Sequence, residues 1–220
     1  MSKKEKVFLD WTADHRALVN LFEVKSPEYL LRGLMAKLHG APGHLAYSGV
    51  SQALLVRQAQ SLEANILFVP LPELATDAQS VSAYQELLRP LQKKGLSGLA
   101  FGNLEPEKEK AFQEKLLSGL DLKAFYPLAG WGSQELMRVF FSLGYRAIVT
   151  SVDLKKLPPP FVGRELDREF IDSLPSGIDP AGQNNEFSCF VYDGPFFQKK
   201  LELQKGSVSE RDGRAWLDLE

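Results

Sequence analysis

The chain has 220 residues, 44% of them hydrophobic and 25% charged, with a formal net charge of -2. That length suits one large domain or two small ones sharing an interface, and the composition is ordinary for a globular protein. The near-neutral balance excludes the electrostatic footprint of a nucleic-acid or anionic-membrane binder, and no apolar run approaches the length of a membrane span.

No signal-peptide core follows Met1, and the basic start from Ser2 to Lys6 is too short to be more than a solvated end. Cys189 is the only cysteine. It excludes an internal disulfide and a cysteine metal site, and a reducing cytoplasm is the simplest setting. His15, His39 and His44 lack the spacing of a metal site and read as loop or surface residues.

Lys6 to Trp11 (KVFLDW) reads as a short apolar strand. Helical spacing follows from Asp14, with Leu18, Leu21 and Phe22 on one face. Tyr29 to Leu38 reads as a second strand and His39 to Gly49 as a Gly/Pro-rich loop. Ser51 can cap a helix running to Ala64, with Leu55, Ala59 and Leu62 inward. Asn65 to Leu71 (NILFVPL) has the look of a buried strand. Ser82 and Gln85 form a capping box for a helix carrying Tyr84, Leu87, Leu88 and Leu91. Leu96 to Leu104 contains the next strand, Pro106 suits the first turn of a helix with Phe112 and Leu116, and Leu122 to Leu128 supplies a fifth strand.

Strand and helix alternating in this way predict an α/β fold with a parallel sheet covered by helices on both faces. Ligands in such sheets sit beyond the C-terminal ends of the strands. Here those ends are Trp11 to Asp14, the loop before Ser51, and Phe101-Gly102-Asn103. The pattern restarts after Gly130: a helix capped by Ser133, a stop at Gly144 and a strand from Ala147 to Val152. This divides the chain into residues 1–129 and a smaller C-terminal subdomain, 130–220. The tail from Leu201 to Glu220 reads as a hairpin turning at Arg211-Asp212-Gly213.

The stretch from Gly177 to Phe197, GIDPAGQNNEFSCFVYDGPFF, is the densest in chemistry. Gly177, Asp179-Pro180 and Gly182 punctuate a loop. Gln183, Asn184 and Asn185 present amides that donate and accept, and Glu186 is the ionisable group among them. Phe187 to Tyr192 reads as a strand, closed by a turn at Asp193-Gly194-Pro195. A polar loop feeding a strand is a common way to hold a binding site on a rigid support, and such a loop can equally be satisfying its own backbone.

This stretch resembles the C-terminal signature of the diphthine–ammonia ligase family of ATP pyrophosphatases. Gly177, Asp179, Pro180, Gly182, Asn184, Glu186, Phe187, Phe190, Val191, Asp193, Gly194, Pro195 and Phe197 all fall in place. Phe161 to Phe170 (FVGRELDREF) is similar to a second family segment. FGNL at Phe101 to Leu104 and Tyr126-Pro127-Leu128 resemble two more. The resemblance implies a Rossmann-like (HUP-type) nucleotide-binding half followed by the smaller half that bears the signature loop.

In that family ATP, with magnesium, adenylates a carboxylate on diphthine, a modified histidine of elongation factor 2. Ammonia then displaces AMP to leave an amide. The resemblance would give Glu186, Asn184 and Gln183 the handling of ammonia or acceptor. Trp11, Thr12, Ala13, Ser48, Gly49, Phe101, Gly102 and Asn103 would border ATP or AMP, with no resident metal site. The expected partner is a nucleotide or another small ligand, without nucleic acid or membrane, and a homodimer is compatible with the sequence.

The chain departs from the family where charge and backbone geometry matter. The family cradles phosphates with an S-G-G-K-D-S loop, in which glycines let N–H groups approach and a lysine adds charge. Here Thr12 supplies a hydroxyl, but Ala13, Asp14, His15, Arg16 and Ala17 replace the rest. Ser48 stands for a histidine, Asn103 for an aspartate, Ala181 for a cysteine and Gln183 for a glutamate. Ser188-Cys189 replaces a histidine–threonine pair. Three readings follow. The fold is kept while ligase activity is lost or changed, leaving a ligand-binding crevice; the ligase is active; or Asp14, His15 and Arg16 form a new constellation, against which stands a solvated helix start.

Overall fold

The computed structural model describes residues 4–41 and 43–220. Ser2 and Lys3 of the basic start, and Pro42 of the predicted loop, lie outside the described residues. Five strands, β1 (Glu5–Asp10), β2 (Tyr29–His39), β3 (Ile66–Leu71), β4 (Gly98–Ala100) and β5 (Lys123–Phe125), form one sheet. Its order is β3-β2-β1-β4-β5, and every pairing is parallel. The chain therefore winds outward one way through β2 and β3, then returns to the other side of β1 through β4. The switch point falls between β1 and β4, where a crevice opens at the strand ends.

Period-two alternation assigns the two faces of β1. Val7 and Leu9 enter a core shared with Leu18 of α1 (His15–Val24) and Leu55 of α2 (Gln52–Ser61). Phe8 points the other way, into a core with Tyr84 and Leu88 of α3 (Asp77–Lys93) and Leu116 of α4 (Lys110–Leu117). Helices thus cover both faces, as the strand–helix alternation requires.

Residues beyond α5 (Ser133–Ser142) build a second sheet from β6 (Arg146–Asp153), β7 (Phe187–Asp193), β8 (Lys205–Arg211) and β9 (Arg214–Leu219). A short helix, α6 (Arg168–Asp172), lies between β6 and β7. The order is β7-β6-β9-β8 with antiparallel pairing, and the closing hairpin turns at Asp212-Gly213 as its sequence signals. Ala147, Val149 and Phe190 of this sheet belong to the same core as Val7 and Leu9.

Several boundaries differ from the sequence reading. The helix read from Ser82 starts at Asp77, because Thr76 accepts from the Gln79 N–H and Gln79 reciprocates, an earlier capping box with the same spacing. Ser133 is the first residue of α5 rather than its cap, which is Gly132. The α2 helix stops at Ser61, and Glu63 in the turn that follows has φ 51°. Phe22 is 41% exposed and stacks on Phe196 instead of facing the core. β3 lies at the sheet edge, which explains its exposed Pro70: an edge strand can spare the N–H that proline lacks.

One buried side chain ties the halves together. Gln58 of α2 is fully buried; its Oε1 accepts from the Trp11 indole N–H at 2.8 Å. Its Nε2 donates to the carbonyls of Ala13 at 3.2 Å and Val191 at 2.6 Å. The Val191 N–H in turn donates to the Ala13 carbonyl at 3.0 Å. One amide thus connects α2, the loop after β1 and the second sheet. Gln58→Leu is expected to cost about 2–4 kcal/mol, since it strands a buried indole N–H and weakens two carbonyls. Urea unfolding checks this; a loss below about 1 kcal/mol would show that the bridge is dispensable.

Candidate functional site

At the C-terminal ends of β1, β2 and β4 lies a cleft of about 220 Å³. Its walls come from the segments placed there by sequence: Trp11 and Thr12 after β1, Ser48 before α2, Gly102 and Asn103 after β4. Gln183 and Asn185 reach it from the signature loop, with Ser188 and Cys189 of β7. The cleft therefore lies where the two sheets meet.

The floor is set by the start of α1. Asp14 is its N-cap, buried at 6% exposure. One oxygen, Oδ1, accepts from the Ala17 N–H and the Thr12 hydroxyl, each at 2.9 Å. The other, Oδ2, accepts from Arg16 Nη2 at 3.1 Å and Nε at 3.4 Å. A helix N-terminus offers N–H donors and positive potential to an anion; here the chain's own carboxylate takes that place. Burial alone would raise the Asp14 pKa, but the Arg16 charge, followed by His15, the Ala17 N–H and the Thr12 hydroxyl, brings it down to about 2. The carboxylate is thus an anion in the cleft, and it already engages the Ala17 N–H, the Thr12 hydroxyl and the Arg16 guanidinium.

His15 corrects the expectation of a solvated helix start. It is 2% exposed, with Nδ1 3.2 Å from the Cys189 thiol and Nε2 3.0 Å from the Ala181 carbonyl. Because that carbonyl can only accept, Nε2 carries the proton and Nδ1 accepts from the thiol. Its ring also lies between Phe140 and Phe187. Burial, opposed by the nearby Asp14 charge, lowers its pKa to about 4. Burial likewise pushes the Cys189 thiol up, so the pair is neutral. The other two histidines are half-buried: His39 ends β2 on the cleft wall, and His44 pairs with Glu73 at 3.4 Å.

Not every residue implied by the family motifs reaches the cleft. Ala13 is buried behind it in the left-handed region, φ 61°, a conformation natural for glycine. Phe101 is 1% exposed and stacks on Tyr126 outside the lining. Gly49 borders a separate shallow hollow with His44 and Ser51. It sits at φ 67°, where a Cβ would come within 3.0 Å of Trp216.

In the signature loop, Gln183 reaches the cleft, its Nε2 donating to the Ser133 hydroxyl at 2.8 Å. Ser133 in turn donates to Asp179, which also accepts from the Ala181 N–H. Asn184 and Glu186 do not line the cleft. Glu186 is 2% exposed and accepts from the Asn184 backbone N–H at 2.8 Å and Nδ2 at 3.0 Å. Burial works against its charge, but these bonds and the nearby Lys156 hold its pKa below the ordinary value. The geometry assigns Glu186 to shaping the loop. Lys37, Tyr47, Glu109 and Gln113 also line the cleft. Of these, Lys37 was recoverable from its place near the C-terminal end of β2, whereas Gln113 arrives from a helix whose local pattern points only to packing.

Among the described residues, no helix is long and apolar enough to cross a membrane. Residues 132–219 match the family model of the diphthamide synthase C-terminal domain. No curated protein matches the chain. The matched span starts at the cap of α5 and takes in the second sheet, the signature loop and the closing hairpin. Over residues 132–219, then, the chain is similar to the diphthamide synthase C-terminal domain, in keeping with the resemblance of its signature loop to the diphthine–ammonia ligase family.

Proposed function

We propose that this protein has lost or changed the family's ATP-dependent amide-forming activity while keeping the cleft for a small ligand. The observation that carries the reading is Asp14. A triphosphate approaching α1 would meet a carboxylate that already takes the Ala17 N–H and pairs with Arg16. At about 220 Å³ the cleft is also small. Sites that engulf a drug-sized ligand run to about 300–1,000 Å³. It suits a nucleoside fragment or a ligand of similar size better than a magnesium–triphosphate. The residues in place do not fit the phosphates of ATP.

The test is calorimetric titration of the protein with ATP and magnesium, and separately with AMP. The expected result is AMP binding no weaker than ATP, since the β- and γ-phosphates gain nothing from an occupied helix N-terminus. ATP binding at least about tenfold tighter than AMP, a gain of about 1.4 kcal/mol, would overturn the reading and favour an active ligase.

A further inference from the structure

Two buried amides flank the Gly102–Asn103 end of the cleft, and each has at least one polar atom without a partner. Gln113 of α4 lines the cleft at 5% exposure. Its Nε2 donates to Asn103 Oδ1 at 2.8 Å and to Glu109 Oε2 at 3.3 Å. Both partners are acceptors, so the orientation of the amide is fixed, and Gln113 Oε1 is left buried with no partner. Asn20 of α1 is fully buried, and neither its Oδ1 nor its Nδ2 has a partner.

Asn20 lies behind Gly102. A Cβ placed on Gly102 would stand 3.7 Å from Asn20 Nδ2, and Gly102 itself lines the cleft. No side chain therefore separates the Asn20 amide from this wall. Buried amides are ordinarily paired, and a sequence under no demand here could place leucine at 20. Two unsatisfied amides at one end of a ligand-sized cleft are better explained by a ligand that satisfies them.

We propose that the Gly102 end of the cleft is a subsite for an uncharged amide or amino-heterocycle edge read by Asn20 and Gln113. Such an edge carries N–H donors beside an acceptor. Its N–H groups meet Gln113 Oε1 and Asn20 Oδ1, and its acceptor takes the Asn20 Nδ2 proton. An asparagine or glutamine paired side-on with an adenine edge is one form of this recognition. Both amides are shut off from solvent, so binding requires the irregular turn at Gly102-Asn103 to yield, which a glycine permits. The inference rests on the small-ligand reading of the cleft and deepens it: the subsite selects neutral hydrogen-bonding edges over charged ones.

The experiment pairs probes that differ at the recognised edge: adenosine against purine riboside, which lacks the amino group, and nicotinamide against nicotinate. Each is titrated into the wild type and Asn20→Leu, alongside AMP, with melting temperatures recorded for all mixtures. The expected result is that adenosine or nicotinamide binds the wild type at least about tenfold more tightly than its counterpart. Asn20→Leu is expected to lose that preference while melting about 2 °C or more higher without ligand, because a buried polar misfit has been removed. Should Asn20→Leu fail to fold, Asn20→Ala carries the same comparison with atoms only removed.

A preference retained in the variant would overturn the subsite. AMP binding without discrimination between the paired probes would overturn it too, while leaving the small-ligand cleft standing. Silence with every probe and with AMP would overturn both. A higher melting temperature with unchanged binding would mean that the amides are bridged by water alone.

Discussion

Replacing Asp14 with serine is expected to tighten binding of ATP with magnesium at least about tenfold, which corresponds to about 1.4 kcal/mol. The cause is electrostatic. In the native protein Asp14 neutralises Arg16 across 3.1 Å and presents its own charge to any incoming phosphate. Two unit charges about 4 Å apart interact by roughly 4 kcal/mol at an effective dielectric of about 20, so one carboxylate is enough to decide the outcome. Serine keeps a hydroxyl that can cap the Ala17 N–H, so α1 retains its first turn. It also frees Arg16 to face the cleft. Asp14→Gly should give a similar gain with a further loss of stability of about a few tenths of a kcal/mol for the missing cap. Titration with ATP and inorganic phosphate decides it. A folded Asp14→Ser protein with unchanged affinity would show that the cleft rejects phosphate by shape, and the charge argument would fail.

The same residue shows what the sequence could and could not reveal. That an acidic group at a glycine position repels phosphate follows from its chemistry. That it becomes the N-cap of α1, holding Thr12, Arg16 and the Ala17 N–H at once, requires the fold. The first sheet was legible because Val7, Phe8 and Leu9 alternate between cores and because turn formers punctuate the strands. The hairpin turn at Asp212-Gly213 was legible for a local reason as well. Thr76 and Ser82 offered two capping boxes of equal spacing, and only the packing of α3 chooses between them.

The site was legible as an address rather than as a mechanism. Trp11, Thr12, Gly102 and Asn103, read from the strand ends, all line the cleft, since the switch point is a property of topology. Glu186 was conspicuous as the ionisable group in a polar loop, yet it folds back onto Asn184, a contact two residues away that sequence cannot distinguish from exposure. Nothing in the sequence singles out Gln113 or Asn20, because a lone amide on a helix is ordinary until its partners are known. His15 was misplaced for the opposite reason. Flanked by Asp14 and Arg16 it looks solvated, but its partners lie 166 and 174 residues away.

That burial predicts a stability loss in mild acid. Burial lowers the His15 pKa in the folded protein to about 4, against an ordinary value of 6.5. Between those values the unfolded chain binds more protons at this site than the folded one, so stability rises with pH across the window. The contribution is complete above about 6.5 and is lost as pH falls toward about 4, amounting to about 3 kcal/mol over the full interval. That is a large share of the roughly 5–15 kcal/mol typical of a folded domain. Asp14 acts in a different window: its pKa is lowered from 3.8 to about 2, so its contribution persists until pH falls below about 4 and is lost through about 2. Urea unfolding of the wild type at pH 7, 5.5 and 4.5 should show the decline. His15→Leu should flatten that slope, even though stability at pH 7 falls because the Ala181 carbonyl loses its donor and the Cys189 thiol its acceptor. An unchanged slope in the variant would place the acid sensitivity elsewhere, and the neutral buried imidazole between the two sheets would not be its source.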